Sequence, residues 1–559
     1  MSGAHPIAGA VVTVFSPGVG AVGGGSSNAS GQVSFGIDNP GGSGILYAVA
    51  AGGDAGAGSN SAIKLMAVLG SAANYSAATR YTVNELTTTA SVWALAQFTD
   101  AQGRVSGSAG SLGIAAITGA NLADMGSGAP AAALQAGANA PDKLDTLGNI
   151  LAACVASAGP GSAPCTGLFQ AASSGATVPA DTLAAARAVA LQPASQVAAL
   201  FALAAGSSAY TPALAAAPND WTLSLNFTGG GLSEPTQSAL DAQGNVWVAN
   251  YNNAVSEFSP AGAALSPAAG FTGGGLEESF GIAVDAGGKI WVCNEQSPSG
   301  VNQGRGSITE LNPDGSVASG TNGYAGGGLD FPDAIAIDAQ GNVWAGNYGN
   351  STLSAFSPAG VAQSPSTGYT GGGLEFPTGI AFDGAGMLWV ADNGANQVSE
   401  FSSAGAAVSP ATGFSGGGVN APQSVAVDQG GNIWVSNYYR ASVSELASTG
   451  AALSPTGGYT GGGLNSPGGV AVDGSGNVWV TNYNGASISE LAGASSVAPG
   501  TLLSPSAGFL ATALSQPFAP AIDSAGNLWT ANFGNNSLTE LVGVAAPVRT
   551  PLLGLPAAP

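Results

Sequence analysis

Residues 377–401 read PTGIAFDGAGMLWVADNGANQVSEF. An apolar run ends in Asp383, and a turn of the D-x-x-G type follows. A second apolar run carries Trp389, and a third run, QVSEF, alternates apolar and polar residues. Glycine supplies the positive φ such a turn needs, and aspartate accepts from its backbone. Three short extended runs joined by tight turns predict a small antiparallel sheet, too small to stand alone.

The same unit recurs along the chain. Its cores read ALDAQGNVWVAN, AVDAGGKIWVCN, AIDAQGNVWAGN, AFDGAGMLWVAD, AVDQGGNIWVSN, AVDGSGNVWVTN and AIDSAGNLWTAN. The tryptophans are Trp247, Trp291, Trp344, Trp389, Trp434, Trp479 and Trp529, 44 to 53 residues apart; the longest gap holds an insertion, EQSPSGVNQGRG. In each unit strand a ends in the turn aspartate, b carries the tryptophan and c is the SEF or SEL run. A weaker strand d, ALSP…GF or GY, leads into a GGGL loop. Four strands in about 45 residues predict one propeller blade, so the fold class expected is mostly β, with a seven-bladed propeller. WTLSLNFTGGGL, 221–232, matches a strand d and its loop, whereas the last unit lacks a good d. Residues 221–227 are therefore expected to complete the last blade and close the ring.

The remainder of the chain divides as follows. Residues 1–55 show three strand-like runs, IAGAVVTVF, GQVSFGI and GILYAVAA, expected to form a small β-sandwich. Residues 56–210 are alanine-rich, with helical spacing around 84–98, 143–157, 181–190 and 194–204, and Asn84 and Asp181 as N-caps. Residues 211–219 are a linker, 220–545 the propeller and 546–559 a tail whose four prolines suggest a loose end.

Composition excludes several classes. Of 559 residues only 7% are charged, 9 basic against 31 acidic, giving a net charge of −22. Such a surface repels nucleic acid and anionic membranes, and no apolar run is long enough to span a bilayer. Cys154 and Cys165, 11 apart across a Gly/Pro/Ser loop between helical runs, are expected to form a disulfide, and Cys293, in KIWVCN, to be a buried free thiol. A bridge and a neutral surface point to an extracellular, periplasmic or cell-surface protein. The opening residues, MSGAHPIAGAVVTVF, lack the basic and apolar regions of a signal peptide, so none is expected within this stretch. A monomer is expected.

The repeat, P-x-G-[IV]-A-[VF]-D…G-N-[VI]-W-V-[ADST]-[ND], resembles NHL repeats. It looks most like the bacterial propellers related to virginiamycin B (streptogramin B) lyase, across about 325 residues. The first 50 residues are similar, on a weaker pattern, to carboxypeptidase regulatory-like sandwiches. The lyase resemblance implies a histidine base beside magnesium, but the only histidine is His5, outside the propeller. A gluconolactonase-like resemblance implies Glu, Asn and Asp around a calcium-type ion, and those residue types are present. A divalent cation, calcium or magnesium, thus enters only through resemblance; no cofactor is otherwise expected.

Two residue rings map to the propeller face shared by the b–c and d–a loops, where ligands usually bind. One follows strand b: Asn250, Asn294, Asn347, Asp392, Asn437, Asn482 and Asn532. These side chains either cap the turn or face a ligand. The other is aromatic: Tyr251, Tyr348, Tyr438, Tyr439, Tyr483 and Phe533. It either packs between blades or offers an apolar face with hydrogen-bonding tips to a polyol or peptide. Phe227, Phe271, Tyr324, Tyr369, Phe414, Tyr459 and Phe509, before the glycine loops, are structural plugs. Acids follow those loops: Glu234, Glu277, Glu278, Asp330, Asp333 and Glu375. The expected function is a non-enzymatic protein- or glycan-binding or scaffold module. The competing reading is a metal-dependent lyase or lactonase. No catalytic residue is assigned.

Overall fold

The turn aspartate organises each repeat. One carboxylate oxygen of Asp241 accepts from the amides of Gln243 and Asn245, and the other from the Trp247 indole N–H. The indole bond recurs in all seven repeats at 3.0–3.2 Å. A polar side chain thus both shapes the turn and satisfies the buried donor of the core tryptophan.

The structure, a computed structural model, describes residues 5–559 apart from 40, 43, 77, 137–140, 176 and 299–304. Half of the EQSPSGVNQGRG insertion therefore lies outside the described residues. The chain forms two compact units. The first contains residues up to Leu225 with Ser524–Asn527 and Leu541–Val544; the second contains Asn226–Asp523, Leu528–Glu540 and Ala545–Pro559.

In the second unit the repeats form seven antiparallel sheets of three or four strands. Their a strands are Pro235–Leu240, Ser279–Val284, Pro332–Ile337, Pro377–Phe382, Pro422–Val427, Pro467–Val472 and Pro517–Ile522. Each packs against the a strands before and after it, and the seventh packs against the first, so the inner strands form a closed, propeller-like ring. The b strands are buried at every residue.

The expected strand d is much reduced. In most sheets it is a pair of isolated bridges to strand c, such as Phe258↔Ala264 and Val255↔Phe271. Among the described residues, Tyr459–Thr460 forms a short regular strand in one sheet and Ser224–Phe227 in the last. A broken outer edge resists pairing with another chain. The last sheet has the order a, b, c and then Ser224–Phe227, as the closure reading expects.

The plug aromatics lock neighbouring sheets. Each stacks or tilts against the tryptophan of its own sheet, with ring centroids 5.5–5.9 Å apart. The other face lies against the c–d turn glycine of the next sheet. A Cβ on Gly360 would sit 2.1 Å from the Tyr324 ring, and Gly360 has φ +73°. Glycine is required there twice, for space and for conformation.

The tail is not loose. Ala546 N–H donates to the Asp473 carboxylate, Gly474 N–H to Ala546 O, and Val548 N–H to Asp523 O. Val548 is buried, and Leu555 packs on the core around Trp389. Its prolines fit an extended strap with few donors to satisfy.

The first unit holds one sheet in place of the expected sandwich. Its strands are β1 (Val11–Ser16), β2 (Gly20–Ser26), β3 (Ile45–Ala51) and β4 (Lys64–Ser71), in the order β2-β1-β3-β4. GQVSFGI is not a strand. It lies on the glycine-rich β2, where a Cβ on Gly25 would meet Val33 and Phe35. β4 falls inside the stretch expected to be helical. Among the described residues seven α-helices follow: α1 (Glu85–Ala94), α2 (Ala109–Leu122), α3 (Ala132–Gln135), α4 (Asp142–Val155), α5 (Ala163–Ala171), α6 (Thr182–Leu191) and α7 (Val197–Ala204). Asn84 and Asp181 are N-caps, accepting from the Thr87 and Ala184 amides. A disulfide joins Cys154 of α4 to Cys165 of α5, and Cys293, in the second unit, is a buried free thiol. The expected linker is tied down: Leu214 N–H donates to Thr146 on α4.

Candidate functional site

At the loop-bearing end of the inner strands, the seven Asn/Asp positions are all fully buried. Most accept, through the side-chain carbonyl, from the amide of a d–a loop residue 17 positions earlier, as Asn437 does from Asn420. The amide nitrogen donates to a strand-c hydroxyl, as Asn437 does to Ser444, which donates in turn to Gly417 O in the glycine loop. Asn250, Asn347, Asn482 and Asn532 repeat the pattern on Ser256, Ser354, Ser489 and Thr539. Asn294 differs only in accepting from the Ser279 hydroxyl. The ligand-facing alternative therefore fails for this ring: its polar atoms are spent holding loop to strand.

Asp392 has no amide to donate. Ser399 contacts both its carboxyl and Gly372 O, yet a hydroxyl carries one proton. Burial, with a smaller push from Glu375, raises the Asp392 carboxyl to about 8 despite hydrogen bonds from Ser399 and the Glu375 amide. A protonated Asp392 donates to Ser399, as asparagine does elsewhere.

The residue after each of these positions lies at the surface. Tyr251, Tyr438, Tyr483 and Phe533 are half-buried, whereas Tyr348 and Tyr439 are exposed, Tyr439 at 79%. They join a set the sequence reading did not assemble, the second residue of each a strand: Thr236, Phe280, Asp333, Thr378, Gln423, Gly468 and Phe518. Phe280 and Phe518 meet edge to face at 5.2 Å across the strand that carries Thr236. Phe518 meets Tyr483 at 6.0 Å, Tyr483 meets Tyr438 at 6.4 Å, and Tyr438 meets Tyr439 at 5.4 Å. An aromatic arc thus runs over several adjacent sheets. Tyr348 stacks separately, on Phe376, at 5.0 Å.

The signal for Phe280 and Phe518 lay in the repeats themselves. Columns that stay constant from copy to copy build the sheet. The column of the second strand-a residue changes between adjacent blades.

Acids gather on another sector of the same rim. Tyr251 Oη lies 3.4 Å from Glu295, and Gln296 donates to Glu278 at 2.8 Å. Burial and then Glu278 raise Glu295 to about 7; burial and then Glu295 raise Asp333 to about 8. Near neutral pH this sector holds protons and presents O–H donors as well as acceptors. Burial and the same two glutamates push the Tyr251 phenol up, and burial does so for the Cys293 thiol. Glu234 and Glu375 are exposed on the rim, Glu277 is half-buried, and Asp330 is buried and paired with Arg305 at 2.7 Å. Among the described residues no three His, Cys, Asp or Glu come together in a metal-holding group.

No family model matches the chain, and no curated relative matches it. Among solved structures it is similar to a streptogramin B lyase, 16% identical over 57% of this chain and 97% of that one, with a TM-score of 0.44. It is similar to virginiamycin B lyase from Staphylococcus aureus at 15% identity, over 57% and 99% of the two chains, TM-score 0.41. A gluconolactonase from Xanthomonas campestris matches at 17% identity, over 57% and 89%, TM-score 0.35.

Proposed function

We propose that this chain is an exported, monomeric binding protein whose seven-bladed NHL-type propeller holds a neutral glycan at its loop-bearing mouth. The observation that carries the reading is the pairing of an aromatic arc, from Phe280 to Tyr439, with a rim sector of half-buried acids at Glu295 and Asp333. Aromatic faces suit the C–H faces of a sugar ring, and carboxylic acids and amides suit its hydroxyls. The first unit, with its disulfide, serves as an anchor, and the bridge fits an oxidising compartment. No helix among the described residues is long and apolar enough to cross a membrane.

The test is titration of the full chain with neutral tetrasaccharides. Tyr483→Ala should lower affinity at least tenfold while the fold is kept. Equal affinity in the variant would sink the reading, and peptide binding without saccharide binding would favour a protein partner.

The raised Glu295 and Asp333 carboxyls favour a second reading, hydrolysis of a lactone or glycoside by a carboxyl pair. Its test is turnover of such substrates that disappears in Glu295→Gln.

A further inference from the structure

The other end of the same ring carries a different chemistry. There the a strands run into their turn aspartates, and the residue before each aspartate is apolar, from Leu240 and Val284 through to Ile522. These side chains and the tail segment Val548–Pro556 enclose a cavity of ≈ 250 Å³. No charged side chain lines it. Its polar side chains are Ser238 and Thr550, and the buried Ser238 hydroxyl has no hydrogen-bond partner.

The strap is fastened rather than merely resting there. Its hydrogen bonds go to turns of two adjacent sheets, at Asp473, Gly474 and Asp523. Arg549 N–H donates to Ala557 O, which folds the strap back on itself. Leu555 reaches a third turn, where a Cβ on Gly384 would touch it. Three anchor points around one ring hold a roof over the channel.

We propose that this roofed end of the channel binds a small, neutral, mostly apolar molecule. A dry apolar cavity of about 150 Å³ holds benzene, so this volume suits on the order of ten non-hydrogen atoms. A charged ligand is excluded, because no charged side chain in the lining compensates an ion taken out of water. The proposal is independent of the glycan reading, which concerns the opposite mouth.

Calorimetric titration of the full chain with 1-octanol and with sodium octanoate tests it. Saturable octanol binding, at least tenfold tighter than octanoate, is expected. Ala426→Leu and, on another sheet, Ala336→Leu fill the cavity and should each weaken it at least tenfold. Absence of saturable octanol binding to the unaltered chain overturns the proposal without reference to any variant. So does octanoate binding as tightly as octanol, or octanol affinity unchanged in folded cavity-filling variants.

Discussion

A single atom separates Asp392 from the asparagine that stands at its position in every other repeat. The hydrogen-bond pattern around Ser399 is complete only if the carboxyl keeps its proton. Asp392→Asn should therefore fold normally and match the parent in thermal stability near pH 3.5, below the ordinary carboxyl value of 3.8. As pH rises from there to about 8, the unfolded parent releases a proton that the folded parent keeps, so the variant should melt increasingly higher. Melting curves at both pH values decide this; a variant less stable throughout would show that the carboxylate is wanted. Gly360 makes a second test. Gly360→Ala should cost about 3 kcal/mol, from crowding against Tyr324 and from the positive φ. A denaturation midpoint unchanged within error would contradict the clamp. At this scale the sequence was read well where one residue type has one use. Turn Asp, core Trp and plug aromatics took their expected roles. The asparagines left two uses open, because their spacing cannot show whether an amide points to a ligand or into its own sheet. Phe280 and Phe518 were missed because their contact crosses an intervening strand.

Elements were legible in proportion to their periodicity. Strands a, b and c carry clear patterns and form where expected. Strand d is hardly a strand, since in most sheets it meets strand c only at isolated bridges. α2 was missed, since Gly110, Gly113 and Gly119 weaken the helical signal that Leu112, Ile114 and Ala115 supply. β2 was missed because glycine gives it almost no side chains, yet the bare surface is what lets residues 33–37 lie on it. Strand c also sets a pH dependence. Its glutamates lie beside the turn aspartates, and burial followed by that neighbour raises Glu257 to about 7 and Glu490 to about 8. Burial first also raises Glu400 and Glu445. Their unfolded value is near 4.5, so between about 4.5 and 8 the native state binds more protons than the unfolded chain. Stability is then full below that window and falls as pH rises through it. The melting temperature should drop by about 5 °C or more from pH 5 to pH 8.5, and Glu490→Gln should reduce the drop. A melting temperature that rises over this range would refute the assignment.

At the scale of the whole molecule, repetition made the ring legible and left its specificity hidden. Seven similar units announce a closed array, but function sits where the units differ. Closure itself is testable through Phe227, which stacks on Trp529 as Phe414 stacks on Trp389, although it lies some 300 residues away in sequence. Phe227→Ala and Phe414→Ala should cost similar amounts, about 3–4 kcal/mol each. A neutral Phe227→Ala beside a costly Phe414→Ala would leave the ring open. The division of the first unit was the least legible part, because alanine-rich sequence is compatible with both helix and the edge of a sheet. The central claim is that the variable rim, not the constant asparagine ring, carries recognition. Its most direct measurement is saturation-transfer NMR of a panel of neutral oligosaccharides against the full chain and its Phe518→Ala variant. The account predicts transfer to at least one oligosaccharide in the parent and at least a tenfold weaker response in a variant that still melts cooperatively. Equal transfer in both proteins, or none to any oligosaccharide in the parent, would contradict it.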